Sequence, residues 1–353
     1  MFTQSELKKN REPFVPIYRK LFEFYKKRID TQVYSPGQRI DSIVEMQQRY
    51  NISRETAKCV LQMLADEGLI IKKAGKGSFV ARLGPKKKIW AVIVPFFSSQ
   101  IDELIHNLRY EALHCNRQLE HFIDYNNWQE EIRLVGSLIN QNYEAIIVIP
   151  TFDESKTASF YNKLHSGGTI VSLLDHTMVG SKFTFVIQSY DLGVRRAVKY
   201  LIQKCKGSLA FVKNNIWLGR NMIQEVMQQT FEKFIQVDDP TRKSILVENF
   251  YIIDRSWVIN NKIHGFFCCD DADAVRVAGR IKECGLRIPQ DISIISYGNT
   301  YLAQYFSPAI TSIDPHYQEM SRLIVEIINN SLQGKNVSMS QYVLSPDIII
   351  RET

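Results

Sequence analysis

The chain has 353 residues, of which 45% are hydrophobic and 23% are charged, and it carries 44 Lys and Arg against 37 Asp and Glu. These values exclude a disordered chain, and the length predicts two or three globular domains. The N-terminal stretch MFTQSELKKNREPF lacks the hydrophobic region of a signal peptide, and no early window is a long uncharged apolar run. We therefore expect a cytoplasmic protein without a membrane partner.

The positive charge is concentrated in the first quarter of the chain. Residues 1–88 contain 19 Lys and Arg and 9 Asp and Glu, a net charge of +10. The remaining chain contains 25 (44 − 19) and 28 (37 − 9), a net charge of −3. This asymmetry is expected when one domain neutralises nucleic-acid phosphates and a separate module has another task.

Two short helices are predicted before residue 51. The first begins at Pro16-Ile17-Tyr18, and its apolar residues at helical spacing are Ile17, Leu21, Phe24 and Ile29. A turn at Ser35-Pro36-Gly37 follows, and the second helix starts at Asp41 or Ser42. The residues expected to face inward from this helix are Ile43, Met46 and Tyr50.

Residues 51–80 predict a recognition helix that runs into a basic β-wing. Ser53 is a good N-cap, and the residues expected on the buried face are Ala57, Val60, Leu61 and Leu64. The residues expected on the solvent face are Arg54, Glu55, Thr56 and Lys58. Gly68 should end the helix, and a two-stranded wing with its tip at residues 74–77 should follow. The lysines of this wing are Lys72, Lys73 and Lys76.

Such a unit suits DNA. A helix N-terminus with hydroxyl groups, Arg and Lys fits the major groove, where these side chains reach base edges and phosphates. A glycine tip flanked by lysines fits the adjacent backbone or the minor groove, because a small residue permits close approach. The alternative is an ordinary helix and hairpin with a solvated charged face.

The segment resembles the N-terminal domain of the GntR (gluconate-repressor) family. The motifs that carry the resemblance are Pro16-Ile17-Tyr18, Pro36-Gly37, Ser53-Arg54-Glu55-Thr56, Glu67-Gly68-Leu69-Ile70 and Gly75-Lys76-Gly77-Ser78-Phe79-Val80. The DNA contacts that the resemblance implies are Ser53, Arg54, Thr56, Lys58, Gly75 and Lys76, and we add Lys72 from its place in the wing. One motif departs from the family: Ile40-Asp41-Ser42-Ile43-Val44 lacks the Arg that often contacts DNA there.

A different pattern begins after the segment ARLGPKKK, residues 81–88, which is expected to be a linker. Short Val- and Ile-rich runs alternate with amphipathic helices, which is typical of parallel strands buried on both faces. The predicted strands are Ile89–Phe97, Glu144–Pro150, Thr169–Leu174, Ser208–Val212, Ile263–Cys269, Asp291–Tyr297 and Ala309–Ile313. About 265 residues are too many for one comfortable sheet, so residues 89–353 should form two α/β lobes with a cleft between them.

Polar and aromatic residues follow the ends of these strands, where ligands bind in such sheets. The candidates for ligand contact are Phe97, Ser98, Asp175, Arg220, Asp270, Tyr297 and Asn299. Carboxylates and an Arg can hold vicinal hydroxyl groups while an aromatic ring covers the apolar face of a pyranose. The set therefore favours a neutral sugar.

Residues 89–350 resemble the sugar-binding domain of the LacI (lactose-repressor) family, whose fold is that of periplasmic binding proteins. The segments that carry this resemblance are Asp175, Gly193, Arg220, Cys269-Asp270-Asp271-x-x-Ala274, Gly285–Ser293 and Pro308–Ile313. The resemblance implies effector contacts at Asp175, Arg220 and Asp270. The family usually has Asn at the position of Asp270 and Asp at the position of Gly298, and Asn299 is a candidate to replace the missing carboxylate.

Other interpretations stay open for several of these residues. Asp271 suits a helix N-cap as well as a ligand, Arg220 suits an ion pair, and Trp217 and Tyr297 suit a core as well as a pocket. The six cysteines show no metal spacing and should be reduced thiols, and the seven histidines form no ligand set. No phosphate loop or catalytic motif is present, so we expect no enzyme activity, no cofactor and no metal.

Together the two resemblances imply a one-component transcriptional regulator of arabinose-repressor-like architecture. Its expected partners are double-stranded operator DNA, a second copy of the chain and a monosaccharide such as L-arabinose or L-fucose, which relieves repression. The alternatives are a regulator that responds to a purine or another non-sugar, and a sugar-binding protein without DNA activity.

Overall fold

The structure is a computed structural model, and it describes residues 16–30, 33–34, 37–67, 69–81, 86–152, 154–164, 168–177, 183–213, 221–335 and 340–353. The chain divides into an N-terminal unit, formed mainly by residues 1–87, and a C-terminal unit formed by most of residues 88–353. Among the described residues, no helix combines the length and apolar character needed to cross a membrane.

The described part of the N-terminal unit has three helices and a two-stranded sheet. The elements are α1 (Ile17–Asp30), α2 (Ile43–Tyr50), α3 (Arg54–Asp66), β1 (Ile70–Lys73) and β2 (Gly77–Val80). Ser42 starts α2 as predicted: its Oγ accepts a hydrogen bond from the Glu45 amide, and the Glu45 carboxylate accepts one from the Ser42 amide. These reciprocal bonds satisfy amides that have no partner inside the helix.

One apolar core holds these helices and the sheet together. The buried residues of the core are Leu21, Phe22, Tyr25, Ile40, Met46, Tyr50, Ala57, Val60, Leu61, Leu64, Ile70 and Val80. The buried face predicted for α3 is confirmed. The first helix begins at Ile17 as predicted, but the Ile17 side chain is 41% exposed, and the inward face of α1 is formed by Leu21, Phe22 and Tyr25. Pro36 and Gly68 lie outside the described residues.

The described part of the C-terminal unit contains two six-stranded sheets flanked by helices. Its strands are β3 (Lys87–Val94), β4 (Gln118–Ile123), β5 (Tyr143–Val148), β6 (Ile170–Asp175), β7 (Thr184–Gln188), β8 (Ser208–Val212), β9 (Ser244–Val247), β10 (Ile263–Cys268), β11 (Ser293–Tyr297), β12 (Thr311–Asp314), β13 (Gln341–Leu344) and β14 (Asp347–Ile349). Its helices are α4 (Ser99–His114), α5 (Trp128–Asn140), α6 (Glu154–Lys163), α7 (Tyr190–Lys204), α8 (Met222–Asp238), α9 (Arg255–Asn260), α10 (Asp271–Glu283), α11 (Tyr301–Tyr305) and α12 (Tyr317–Leu332).

Each sheet is the centre of one lobe. The strand order is β13-β7-β6-β5-β3-β4 in the first lobe and β14-β12-β11-β10-β8-β9 in the second. The β12–β14 pair is antiparallel, and the other pairs whose register is defined are parallel. The chain passes between the lobes after β7, after β12 and after β13. In the first lobe α12 packs on α4, and in the second α7 packs on α8.

The two lobes and their parallel sheets confirm the predicted fold class. All seven predicted strands are present, and β8 has the predicted limits. The last two residues of the linker expected at 81–88, Lys87 and Lys88, already belong to β3. Residues 82–85 lie outside the described part. Five strands were not predicted, and four of them (β4, β9, β13 and β14) are sheet edges with partly exposed residues. Edge strands lack the continuous apolar run of a strand covered on both faces.

The six cysteines are free thiols, as predicted. Cys268 and Cys269 are 0% and 5% exposed, and burial raises the pKa of each thiol well above its ordinary value. A buried cysteine of this kind acts as a small apolar residue rather than as a nucleophile.

Gly193 in α7 permits close packing of this helix on β11 and β12. A Cβ atom at Gly193 would lie 2.7 Å from Cε2 of Tyr297 and 3.1 Å from Cγ2 of Ile313. Tyr297 is only 1% exposed and its hydroxyl donates to Gln188, so its ring is held in place. The glycine is therefore required by the contact between helix and sheet.

We expect Gly193→Ala to lower the free energy of unfolding of the C-terminal unit by ~1–3 kcal/mol, because the added methyl group overpacks the site. Gly279→Ala in α10 is the control: a Cβ there meets nothing within 4 Å, so the change should be neutral or stabilise by up to ~1 kcal/mol. Urea denaturation followed by circular dichroism measures both. Equal stabilities of the two variants would contradict the close packing.

Candidate nucleic-acid interface and ligand cleft

The N-terminus of α3 presents polar side chains to solvent. Ser53 caps the helix, with its Oγ 3.1 Å from the Thr56 amide and 2.9 Å from Thr56 Oγ1. Arg54 is exposed and makes no hydrogen bond or ion pair with any described residue. Lys58 is also exposed and lies 4.0 Å from Glu55. Because a helix N-terminus carries partial positive charge, this surface can receive phosphate oxygens or base edges.

The wing supplies a second cationic surface in the same unit. Gly75 and Gly77 have φ angles of +69° and +99°, so the tip needs residues without a side chain. Lys72 Nζ donates to Gln62 Oε1 of α3 at 2.7 Å, which joins the wing to α3. The Lys76 side chain is exposed and has no partner among the described residues.

The start of α2 shows what replaces the Arg that this chain lacks. Val44 occupies that position and is 59% exposed. The Arg39 guanidinium is bonded to the Glu45 carboxylate by two contacts of 3.2 Å. A Cβ at Gly77 would lie 3.2 Å from Arg39 Nε, so this cation lies beside the wing. The exposed apolar side chain of Val44 stands where the family has a charge.

The C-terminal unit contains a cavity of about 60 Å³ between its two lobes. Its polar lining residues are Ser98, Gln100, Asp175, Tyr190, Asn221, Gln224, Asp270 and Tyr297, and its larger apolar ones are Phe96, Phe152, Met227 and Tyr317. The rings of Phe96 and Phe152 lie 5.7 Å apart at 52°. Pockets for drug-sized ligands have volumes of roughly 300–1,000 Å³, so the cavity between the lobes is several times smaller than such a pocket in this structure.

A chain of hydrogen bonds crosses from one lobe to the other at this cavity. The Tyr297 hydroxyl donates to Gln188 Oε1 at 2.6 Å, and Gln188 Nε2 donates to Asp175 Oδ1 at 2.6 Å. The Tyr190 hydroxyl donates to Asp175 Oδ2 at 2.8 Å. Asp175 and Gln188 end β6 and β7 of the first lobe, whereas Tyr190 and Tyr297 belong to α7 and β11 of the second. In the opposite direction Gln100 Nε2 donates to the Tyr297 carbonyl at 2.7 Å.

These bonds determine the charge state of the group. Burial alone would raise the pKa of Asp175, but the His176 ring nitrogen 3.5 Å away and the hydrogen bonds from Gln188 and Tyr190 hold it below its ordinary value. Burial raises the pKa values of Tyr190 and Tyr297 well above the usual range. The ionised Asp175 carboxylate thus accepts from the Tyr190 phenol, and both this phenol and that of Tyr297, which donates to Gln188, stay protonated.

Asp270 lines the cavity as predicted and also caps a helix, whereas Asp271 has a different role from the two considered from the sequence. Asp270 is the N-cap of α10, with its Oδ1 2.6 Å from the Asp273 amide, and it also lines the cavity. Asp271 is fully buried and accepts from the Thr300 amide at 2.6 Å and from Ser296 and Ser312. The N-cap assignment of Asp271 is therefore wrong, since this residue anchors the loop after β11.

Four of the seven predicted ligand residues meet at the cavity, namely Ser98, Asp175, Asp270 and Tyr297. Phe97 does not line it: the side chain is 48% exposed and its ring packs edge-on against His121 at 5.5 Å. Asn299 also lies elsewhere, with its side-chain oxygen bonded to Arg351. Arg220 and Trp217 fall outside the described residues.

Other cavity residues were not found from the sequence. Gln188 and Tyr190 were missed because β7 was not recognised as a strand, and with β7 assigned they stand at a strand end and a helix start. Phe152 was missed because it lies beyond the strand end at Pro150. Gln100 was missed because nothing in the sequence indicates a bond from α4 to the other lobe.

A pair of buried acids lies behind Phe152. Asp124 and Glu131 are both 0% exposed, and burial together with repulsion from Glu131 raises the pKa of Asp124 to about 8. Glu131 accepts from the Thr151 amide at 2.6 Å, and Asn126 links Asp124 to the Phe152 amide through bonds of 2.8 and 2.9 Å. These contacts hold the loop that places Phe152 in the cavity wall.

Comparison with known proteins identifies both units. The family profile of bacterial regulatory proteins of the gntR family matches residues 17–80, and that of a periplasmic binding protein-like domain matches residues 221–353. The chain therefore combines a GntR-type helix-turn-helix domain with a periplasmic-binding-protein-like domain, as predicted.

Two relatives and one solved structure extend this result. The arabinose metabolism transcriptional repressor of Halalkalibacterium halodurans is 21% identical over 375 aligned residues, covering 94% of this chain and 96% of that protein. The transcriptional repressor PurR of Vibrio vulnificus is 25% identical over 188 residues, so the chain spans about half (56%) of that relative. A dimeric Lac repressor with a C-terminal deletion superposes with a TM-score of 0.65 at 15% identity, over 75% of this chain and 98% of that one. These relatives are transcriptional regulators rather than enzymes.

We expect Gln188→Met to lower the free energy of unfolding of the C-terminal unit by roughly 1–3 kcal/mol, because the Tyr297 hydroxyl and Asp175 Oδ1 then lose a buried partner. Gln224→Met is the control, since the Gln224 side chain lines the same cavity and makes no hydrogen bond with a described residue. Urea denaturation of both variants provides the measurement. A loss of stability as large in the control as at Gln188 would show that the hydrogen-bond chain contributes nothing.

Proposed function

We propose that this chain, a GntR-type winged helix joined to a periplasmic-binding-protein-like domain, is a one-component repressor of carbohydrate-utilisation genes that a small neutral sugar resets. The observation that carries the proposal is that one unit has an exposed cationic surface on α3 and the wing, while the other has a cavity between two lobes. A protein with this role works on chromosomal DNA, which places it in the cytoplasm.

The DNA contacts of the proposal come from α3 and the wing. The residues that we assign to them are Ser53, Arg54, Thr56, Lys58, Lys72, Gly75 and Lys76. Support comes from the exposure of these residues, except the half-buried Thr56, and from the absence of partners for the side chains of Arg54 and Lys76 among the described residues. A guanidinium without an internal partner breaks no ion pair when it binds guanine or phosphate.

We further propose that the chain acts as a homodimer on a two-fold symmetric operator. One winged helix makes too few base contacts for a unique site, whereas two copies read two half-sites. The Lac repressor structure with the similar fold is dimeric. Exposed apolar residues such as Tyr251, Ile259 and Tyr305, which are 71%, 57% and 78% exposed, are available for burial between copies.

The proposed effector is an unphosphorylated monosaccharide, a pentose or 6-deoxyhexose such as L-arabinose or L-fucose. The described lining of the cavity contains the carboxylates of Asp175 and Asp270 and no Lys or Arg, so a phosphate group would be repelled there. Ser98, Asn221 and Gln224 can exchange hydrogen bonds with hydroxyl groups, and Phe96 with Phe152 can cover a sugar ring. The similarity to an arabinose metabolism repressor supports this class.

Effector binding would act by preferring one closure angle of the lobes. The hydrogen-bond chain from Tyr297 to Asp175 joins the lobes, so a ligand that bonds to Asp175 alters the energy of that closure. In a dimer a different closure changes the spacing of the two winged helices, and operator affinity follows from the difference in ligand affinity between the two states.

A purine effector is the second candidate. Similarity to PurR repressors favours it, and the tilted pair Phe96 and Phe152 can contact a flat ring as well as a pyranose. In that case the protein is still a transcriptional regulator, but its effector is a purine rather than a sugar.

We expect Arg54→Ala to weaken operator binding by ~1–3 kcal/mol, because a bidentate base or phosphate contact is lost, and to leave effector affinity unchanged. Arg133→Ala, which removes an exposed Arg from α5 of the other unit, is the matched control. Fluorescence anisotropy with operator DNA measures the first effect and calorimetry the second. Full operator affinity of Arg54→Ala would rule out α3 as the recognition helix.

A thermal-shift screen against monosaccharides, their phosphates and purines tests the effector. A ligand at about a hundred times its dissociation constant adds ~2.7 kcal/mol to the native state, which raises the melting temperature measurably. We expect a free pentose or 6-deoxyhexose to stabilise the protein and to release operator DNA. We expect Asp270→Asn to keep its capping bond, since Asn and Asp cap equally well, and to lose most of the shift.

Three other outcomes are informative. Stabilisation by a purine that is lost in Asp270→Asn would replace the sugar with the second candidate. Tighter binding of a phosphorylated sugar than of its parent at this site would contradict the proposed cavity chemistry. Operator binding that is weak and insensitive to salt would contradict the regulator itself.

A further inference from the structure

Three lysines meet at the edge of the second-lobe sheet that is opposite to the ligand cleft. Three adjacent parallel strands, in the order β10-β8-β9, start at this edge. Lys262 directly precedes β10, Lys243 directly precedes β9, and Lys206 lies two residues before β8. We call Lys206, Lys243 and Lys262 the lysine cluster.

The strand register places the segments of the cluster side by side. The Ser208 amide donates to the Lys262 carbonyl at 2.8 Å, and the Leu209 amide donates to the Lys243 carbonyl at 3.0 Å. Neighbouring strands are ~4.8 Å apart, so the three ammonium groups reach a common volume on flexible stems. The cluster lines a concave pocket of about 340 Å³.

The floor of this pocket is closely packed. A Cβ at Gly207 would lie 2.3 Å from the Lys262 carbonyl oxygen and 2.4 Å from the His264 ring. Residue 207 must therefore be glycine for β8 to begin this close to β10. The pocket is a fixed feature of the sheet edge.

The positive charge of the pocket is not neutralised within the described part of the chain. Its lining contains one carboxylate, Asp239, which is bonded to the Arg242 guanidinium at 2.8 Å. The three lysines are exposed and make no ion pair with any described residue. The net charge of +3 contrasts with the net −3 of residues 89–353.

The negative ends of nearby helices compensate only part of this positive charge. The C-terminal ends of α7, α8 and α9 face the same edge, and each contributes at most about half a negative charge. Lys243 lies five residues beyond the end of α8, outside the last turn in which a helix dipole acts. An excess of positive charge remains after all three helix ends are counted.

We propose that the lysine cluster binds the phosphate group of a small anionic metabolite, so that the protein carries a second ligand site separate from the cleft. Lysine ammonium groups are point charges that bind phosphate without a fixed geometry, and three of them around one concavity match an anion with several charges. A pocket of about 340 Å³ accommodates a small phosphorylated molecule rather than a macromolecular surface. The site is independent of the proposed sugar effector, because the described lining of the cleft has no cation.

Titration calorimetry of the full chain with inorganic pyrophosphate tests the proposal. The site variant is Lys206→Gln, Lys243→Gln, Lys262→Gln, and the control is Lys58→Gln, Lys72→Gln, Lys76→Gln, which removes the same charge from the DNA-binding unit. We expect saturable binding to wild type, and a dissociation constant at least about tenfold higher for the site variant but not for the control. Raising the salt from about 50 to 200 mM should weaken binding, since the contacts are ionic.

The two variants distinguish a failure of this proposal from a failure of the regulator assignment. The site variant should retain the melting temperature and operator affinity of wild type, because the three side chains make no internal bonds. Loss of pyrophosphate binding only in the control would place the anion on the DNA-binding unit and overturn the proposal. Equal binding by all three proteins, or no saturable binding, would also overturn it.

Discussion

An ionised carboxylate inside a protein requires hydrogen-bond donors, and Asp175 obtains them at the place where the chain passes from one lobe to the other. Gln188 is the last residue of β7, and Tyr190 begins the helix on the far side of the crossing. Both donate to Asp175, and Gln188 also accepts from Tyr297. One buried charge therefore determines which residues the crossing can contain and how the lobes face each other.

The packing around this group follows from the same requirement. The Tyr190 and Tyr297 rings are stacked at 5.6 Å and 25°, which leaves no room for a side chain at position 193. Asp175 itself has a φ of +69°, a conformation that costs a residue other than glycine on the order of 1–3 kcal/mol. Hydrogen bonds to a charged group contribute roughly 1.5–3 kcal/mol each, so the bonds offset the backbone strain. A ligand that bonds to Asp175 changes a balance between terms of similar size.

Sequence patterns predicted those parts of the fold in which apolar residues recur at a regular local spacing. The buried face of α3 and the seven central strands could be predicted because Ala57, Val60, Leu61 and Leu64, and runs such as Ser208–Val212, show one period over several residues. The edge strands and β7 could not, since partial exposure removes that period. In the cleft, Asp175 and Asp270 stand at strand ends that a pattern reveals. The role of Gln188 depends on Tyr297, which is 109 residues away. A local sequence pattern gives no information about a contact over that separation.

The two units differ in the interactions available to a binding partner: exposed charges in one and buried hydrogen bonds in the other. In the N-terminal unit Arg54 and Lys76 are exposed, and the attraction to DNA that we propose for them is long-range and screened by salt. In the C-terminal unit Asp175 and Tyr297, which line the cavity, are buried and already hydrogen-bonded, so a ligand must match their geometry as well as their charge. In the proposed function, ligand recognition would depend on the geometry of the cleft and attraction to DNA on exposed charge. A substitution in the cavity that leaves the charge of the N-terminal unit unchanged could then alter ligand recognition without altering that attraction.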